Sequence, residues 1–107
     1  MTTNIRIRNP VGVVMHGERE SRSWRFNWSR AGTPTSPVFV IERESDGVDM
    51  SATLFLGTAS IDGQSAVSPI VTGLTRAVKY RLSCVVHLAD DAAGEYKEAY
   101  AYLIGDR

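Results

Sequence analysis

One cysteine, Cys84, leaves this 107-residue chain without an internal disulfide, so packing alone must hold its fold. Excess charge of either sign is missing too, because 12 Lys and Arg balance 12 Asp and Glu. Clustered positive charge is what draws proteins onto nucleic acid or anionic lipid, so neither is an expected partner. Long apolar runs are also absent. The longest are a few residues, far short of the roughly 20 that a membrane helix needs. Residues 1 to 4 show neither the charged nor the apolar region of a signal peptide, so the expectation is a soluble chain made in the cytoplasm. Imidazoles are scarce, His16 and His87 being the two present. There is no Gly-x-Ser-x-Gly elbow, phosphate-cradling glycine loop or Cys/His metal spacing. The reading is therefore a non-enzyme, with no catalytic, cofactor-binding or metal-ligating residue and no cofactor.

What is present is strand-like alternation. Ile5 and Ile7 alternate with Arg6 and Arg8 before Asn9-Pro10 interrupts them, and an apolar run from Val11 to Met15 follows. Trp24, Phe26 and Trp28 alternate with Arg25 and Asn27, the period of a half-buried strand. After the turn-rich loop at 31 to 37 come the β-formers of residues 38 to 41. Ser45-Asp46-Gly47 reads as a turn, and Met50, Ala52, Leu54 and Leu56 would share one face of the next strand. Asp62-Gly63 predicts a tight hairpin into a strand at 66 to 71. Segments 78 to 88 and 96 to 104 form the last pair. A chain of this length is about one domain, able to bury roughly 65% of its unfolded surface. Together the segments predict an all-β, single immunoglobulin-like or fibronectin type III-like sandwich of about seven or eight antiparallel strands. Residues 11 to 107 would form the sandwich and residues 1 to 10 an N-terminal arm.

The stretch from Gly73-Leu74 to Tyr80 resembles the tyrosine corner of such sandwiches. There a tyrosine opening the penultimate strand turns its hydroxyl back to a backbone group a few residues upstream. For Tyr80 that group is expected between Ser68 and Ala77. Leu82, Cys84 and Val86 then alternate inward, which makes Cys84 a small buried apolar group. Leu74, Tyr80, Trp24 and Trp28 are the expected structural residues.

Several constellations have bland readings. Arg19, Arg22, Arg25 and Arg30 among the aromatics imitate a nucleic-acid stacking platform, but alternation places the rings on one face and Arg25 with Asn27 on the other. Asp90, Asp91 and Glu95 lack calcium-loop spacing and read as a solvated hairpin tip. His87 falls on the outward parity of its strand.

The last strand is apolar on both parities, with Tyr96, Tyr100, Tyr102 and Ile104 on one and Ala99, Ala101 and Leu103 on the other. A two-faced terminal strand suggests that a partner covers it. Tyr100, Tyr102 and Leu103, with Ile5 and Ile7 of the arm, are accordingly the expected interface residues.

From Trp24 onward the chain resembles the short immunoglobulin-like virion proteins of tailed bacteriophages. The resemblance runs through Trp24-x-Phe26-x-Trp28, the middle strand near 50 to 56, the Gly73-Leu74 to Cys84 segment, and a final strand ending in charge. It implies a structural protein acting as adaptor, connector or decoration component near the head–tail region, residing in the virion. The implied partners are copies of itself or other virion proteins. A fibronectin-like carbohydrate- or surface-binding module of a bacterial protein is the alternative.

Overall fold

Alternation along residues 24 to 28 survives folding intact. Trp24 and Trp28 are 0% and 2% exposed and Phe26 lies between them in the core, while Arg25 and Asn27 point away. The structure, a computed structural model, describes residues 2–6, 13–17, 21–29 and 31–106. Among them run, in chain order, β1 (Thr2–Arg6), β2 (Val13–Gly17), β3 (Ser21–Asn27), β4 (Pro34–Arg43), the helical turn α1 (Ser51–Leu54) and β5 (Phe55–Leu56). Then come β6 (Ser60–Asp62), β7 (Ser65–Val67), β8 (Ile70–Thr72), β9 (Lys79–Leu88) and β10 (Lys97–Asp106).

Two sheets enclose one core, so the all-β sandwich stands. In the first sheet β3 is central, with β1 along one edge and β7 and β8 in succession along the other; β6 and β5 close the far side. The second sheet has the order β2-β10-β9-β4. Trp24, Phe26, Leu54 and Val71 from the first sheet's side meet Ile41, Leu82, Cys84 and Leu103 from the second. Two pairings depart from the antiparallel expectation, since β1 runs parallel to β3 and β2 parallel to β10. Both involve N-terminal segments joined to their partners through long stretches of chain, which leaves direction free where a short hairpin would force it antiparallel.

Local chemistry explains where the middle of the chain breaks its alternation. The expected strand at 50 to 56 begins instead as α1. Asp49 Oδ1 accepts the Ser51 N–H at 2.8 Å, and the Met50 carbonyl accepts from Thr53 and Leu54. Met50 and Leu54, four residues apart, both pack on the core, while Ala52 and Leu56 are exposed. Their shared parity belongs to a helical turn, whose i and i+4 positions also coincide. The expected strand at 66 to 71 is split as well. Ser68 and Pro69 together stand opposite Trp24, shifting the register by one residue between β7 and β8. Proline has no N–H to give, and Ser68 compensates. Its N–H donates to the Trp24 carbonyl and its Oγ accepts the Trp24 N–H, both at 2.8 Å. The Asp62-Gly63 signal does mark a hairpin; Asp62 pairs with Ser65, and Gly63 takes φ +61 in the two-residue loop.

The tyrosine corner forms. Tyr80, 2% exposed, accepts the Thr75 N–H on its hydroxyl at 3.0 Å, five residues upstream and within the expected window. Leu74 is buried in the same core. Tyr80→Phe keeps the ring and leaves that N–H without its acceptor, so it should cost roughly 0.5 to 1.5 kcal/mol. Urea denaturation of the two proteins measures it, and equal midpoints would refute the corner's energetic role.

Candidate functional site

The outward face of the second sheet gathers the features most suited to recognition. Cross-strand register builds it in rows: Glu42, Arg81 and Tyr102 form one, Val40, Ser83 and Tyr100 the next, Val38, Val85 and Glu98 the third. Val38 is 57% exposed, and Val40, Val85, Tyr100 and Tyr102 are half-buried. Ser83, in the middle row, is only 5% exposed, a small side chain in register between the larger Val40 and Tyr100. Cations stack on the tyrosines. The Arg81 guanidinium carbon lies 4.4 Å from the Tyr100 ring centroid, and Lys79 Nζ is 4.4 Å from that of Tyr102. The two rings meet edge to face at 5.5 Å. Such contacts contribute about 0.5 to 1 kcal/mol each at exposed sites, so they hold the rings in place without removing them from solvent.

The expected interface residues divide accordingly. Tyr100 and Tyr102 stand on this outward face. Leu103 does not: it is fully buried between the sheets, so it supports β10 from behind and is corrected from contact residue to core residue. The expectation of an uncovered edge on β10 is also corrected for residues 102 to 106, along which the chain's own β2 pairs. Ile5 lies in β1, in register with Phe26 of the same chain; the Thr2–Arg6 part of the expected arm thus adds a strand to its own sheet. Ile7 lies outside the described residues. What the sequence reading missed on this face is Lys79, Arg81, Val38, Val40 and Val85. Their outward parity was visible, but which of them lie side by side depends on the β4–β9–β10 register, which no local pattern encodes.

Residue types with reactive chemistry are otherwise engaged. The His87 ring Nδ1 is 2.8 Å from the Glu95 carbonyl oxygen, and its ring meets Tyr96 edge to face. Lys97 lies 3.8 Å from Asp91 and 3.5 Å from Glu95, tying the acidic hairpin to β10. Arg25 pairs with Asp62 at 2.7 Å, and the Arg22 guanidinium lies 5.2 Å from the buried Trp24 ring centroid. With both tryptophans in the core, that segment offers no stacking platform. Among the described residues no group of three or more His, Cys, Asp or Glu side chains is placed to hold a metal ion.

Burial pushes the Cys84 thiol up to about 12, with the Trp28 indole acting weakly in the other direction. The unfolded thiol titrates near roughly 8.5, so above that pH the unfolded chain sheds a proton that the folded chain keeps. Stability should therefore fall with rising pH from about 8.5 toward 12, by up to ~1.4 kcal/mol per pH unit from this group, and be untouched by it at pH 7. Urea denaturation of wild type and Cys84→Ala from pH 7 to 10.5 isolates the effect. The wild type should lose ground to the variant as pH rises, and a constant difference would contradict it.

No family model matches the chain, and no curated protein does. Among solved structures it is similar to the solution structure of Amebosin, at 9% identity over 99% of each chain, with a TM-score of 0.45. A likeness of that strength carries no argument about function.

Proposed function

We propose that this protein is a non-enzymatic assembly module, and that it serves as a structural component of a tailed-bacteriophage virion, as an adaptor or decoration protein near the head–tail region. The observation that carries the assembly reading is the outward face of β4, β9 and β10. Its rows carry Tyr100, Tyr102, Arg81 and three valines, and interface cores are enriched in tyrosine and arginine. The virion assignment rests on the sequence resemblance. The two-sheet all-β sandwich is the coarse architecture that this resemblance implies. The mechanism is geometric: a rigid sandwich presents a fixed surface, and repetition around a symmetric particle adds weak contacts into firm attachment.

The test is to purify particles from the phage or prophage that encodes the chain and quantify it by mass spectrometry and immunogold labelling. Stoichiometric recovery with the particles, from a gene flanked by terminase, portal or tail genes, is the expected result. Absence from the particles would overturn the virion reading. Tyr96, 60% exposed beside His87 at the hairpin, favours the second reading, a carbohydrate- or surface-binding module. Glycan binding abolished by Tyr96→Ala, together with a neighbouring secreted hydrolase gene, would replace the first reading with it.

A further inference from the structure

Two rows on the outward face of β4, β9 and β10, those of Glu42 and Val40, are self-complementary, the third setting Val38 over the exposed Glu98, and we infer that the face pairs with the same face of a second copy about a twofold axis running along β9. The inference rests on the assembly reading above and names its first contact. Each row across the sheet has a different chemistry at its two ends. On one flank β4 carries Glu42, and on the other β10 carries Tyr102, with Arg81 between them on β9. A twofold axis along the central strand keeps each row level and exchanges its flanks. The acidic flank of one copy then lies over the aromatic and cationic flank of the other. In the adjacent row the same operation sets Val40 of each copy over Tyr100 of its partner.

Side-chain placement fits that operation. The Arg81 guanidinium leans toward β10 and lies on the Tyr100 ring. Its Nε makes no hydrogen bond, so stacking rather than a carboxylate holds it. That lean carries the two arginines of a pair away from the axis in opposite directions, each toward the β4 flank of the other copy. Glu42 stands opposite Arg81 in register, yet among the described residues it enters no ion pair. Two charges that neighbour each other without pairing within the chain are thus each placed to pair across the axis. Sheets pack face to face in this aligned manner, about 10 Å apart, in ordinary sandwiches. Three strands spaced about 4.8 Å apart, each about 30 Å long, give a face of roughly 430 Å² per copy, about 860 Å² in all, the size of a weak, transient contact. The pair should accordingly be concentration-dependent rather than obligate.

Sedimentation velocity over a concentration series, using the whole chain, tests it through a charge swap. Wild type should show a monomer–dimer equilibrium. Glu42→Arg and Arg81→Glu, each alone, place like charges across the axis twice and should weaken self-association about tenfold or more. Mixing the two variants restores both opposite-charge contacts, so the mixture should dimerise about as well as wild type. Circular dichroism checks that each variant is folded, which surface substitutions of this kind should leave so. A monomeric wild type, single variants that dimerise as wild type does, or a mixture no better than its components would each overturn the inference. None of these results would remove the protein from purified particles, so the pairing can fail while the virion reading stands.

Discussion

Replacing Trp28 by Ala should cost about 3 to 5 kcal/mol, the range for truncating a large aromatic in a core. The upper part of that range is expected here because the backbone around Trp28 cannot collapse into the space. Its N–H donates to the Gln64 carbonyl at 2.8 Å, and its own carbonyl accepts from Ala31 and Gly32 at 2.8 and 2.9 Å. Those three bonds pin the residue to the first sheet on one side and to the turn leading into β4 on the other. Gly32 in turn sits close over Leu88, so inward movement of the turn meets a filled core. The cavity therefore stays open, and unfilled volume is what raises the cost above the simple transfer term. For a domain of this size the loss should appear as a fall in Tm of about 15 to 30 °C, with the denaturant slope unchanged. A loss below about 1 kcal/mol would show that Trp28 is not a core residue. The indole N–H has no oxygen or nitrogen acceptor and meets only the Cys84 sulfur, a weak acceptor, so Trp28→Phe gives up little hydrogen bonding and should recover most of the stability.

What could be read from the sequence was what short-range pattern determines. Trp24, Phe26 and Trp28 declared a strand and its buried face because period-two alternation is local. Leu82, Cys84 and Val86 did the same for β9, and the spacing from Leu74 to Tyr80 announced the corner. Failures began where a side chain competes with the backbone for hydrogen bonds. Asp49 and Ser51 turned an apparent strand into α1, since Ser51 Oγ also accepts the Ile41 N–H at 3.1 Å and ties that turn to β4. Ser68 did likewise, standing in for a backbone group opposite Trp24 so that one expected strand became two. The Tyr100 and Tyr102 side of β10 was legible as apolar. Its companions were not, because Arg81 and Lys79 reach those rings only through the β9–β10 register. Leu103 was assigned to the wrong side of the partner question for a related reason. An apolar residue on either parity of a two-faced strand looks equally available until the position of the opposite sheet is known.

The position that should tolerate least is one that no sequence pattern marked. Gly105, near the end of β10, carries backbone of the 75 to 77 turn directly against it. A Cβ at Gly105 would fall on the Thr75 carbonyl oxygen and within 2.7 Å of the Thr75 carbonyl carbon. Both are backbone atoms, so no side-chain rotation relieves the clash; the turn itself must move. That turn is held by several bonds at once. Ala77 donates to the Gly105 carbonyl at 2.9 Å, Gly105 donates to the Val78 carbonyl at 3.0 Å, and Thr75 donates to the Tyr80 hydroxyl at 3.0 Å. Ala77 is also kept at φ +66, a conformation non-glycine residues adopt at a cost. Displacing Thr75 strains or breaks these contacts together, so Gly105→Ala should lose about 2 to 4 kcal/mol, beyond the usual penalty for one added methyl group. Two controls distinguish this cause from a general sensitivity of β10. Thr75→Gly should fail to rescue Gly105→Ala, because the obstructing atoms remain. Adding Tyr80→Phe to Gly105→Ala should cost less than Tyr80→Phe alone, because the corner bond is already lost. Rescue by Thr75→Gly, or strict additivity with Tyr80→Phe, would show that the close approach of Thr75 to Gly105 is not what closes this end of the sandwich.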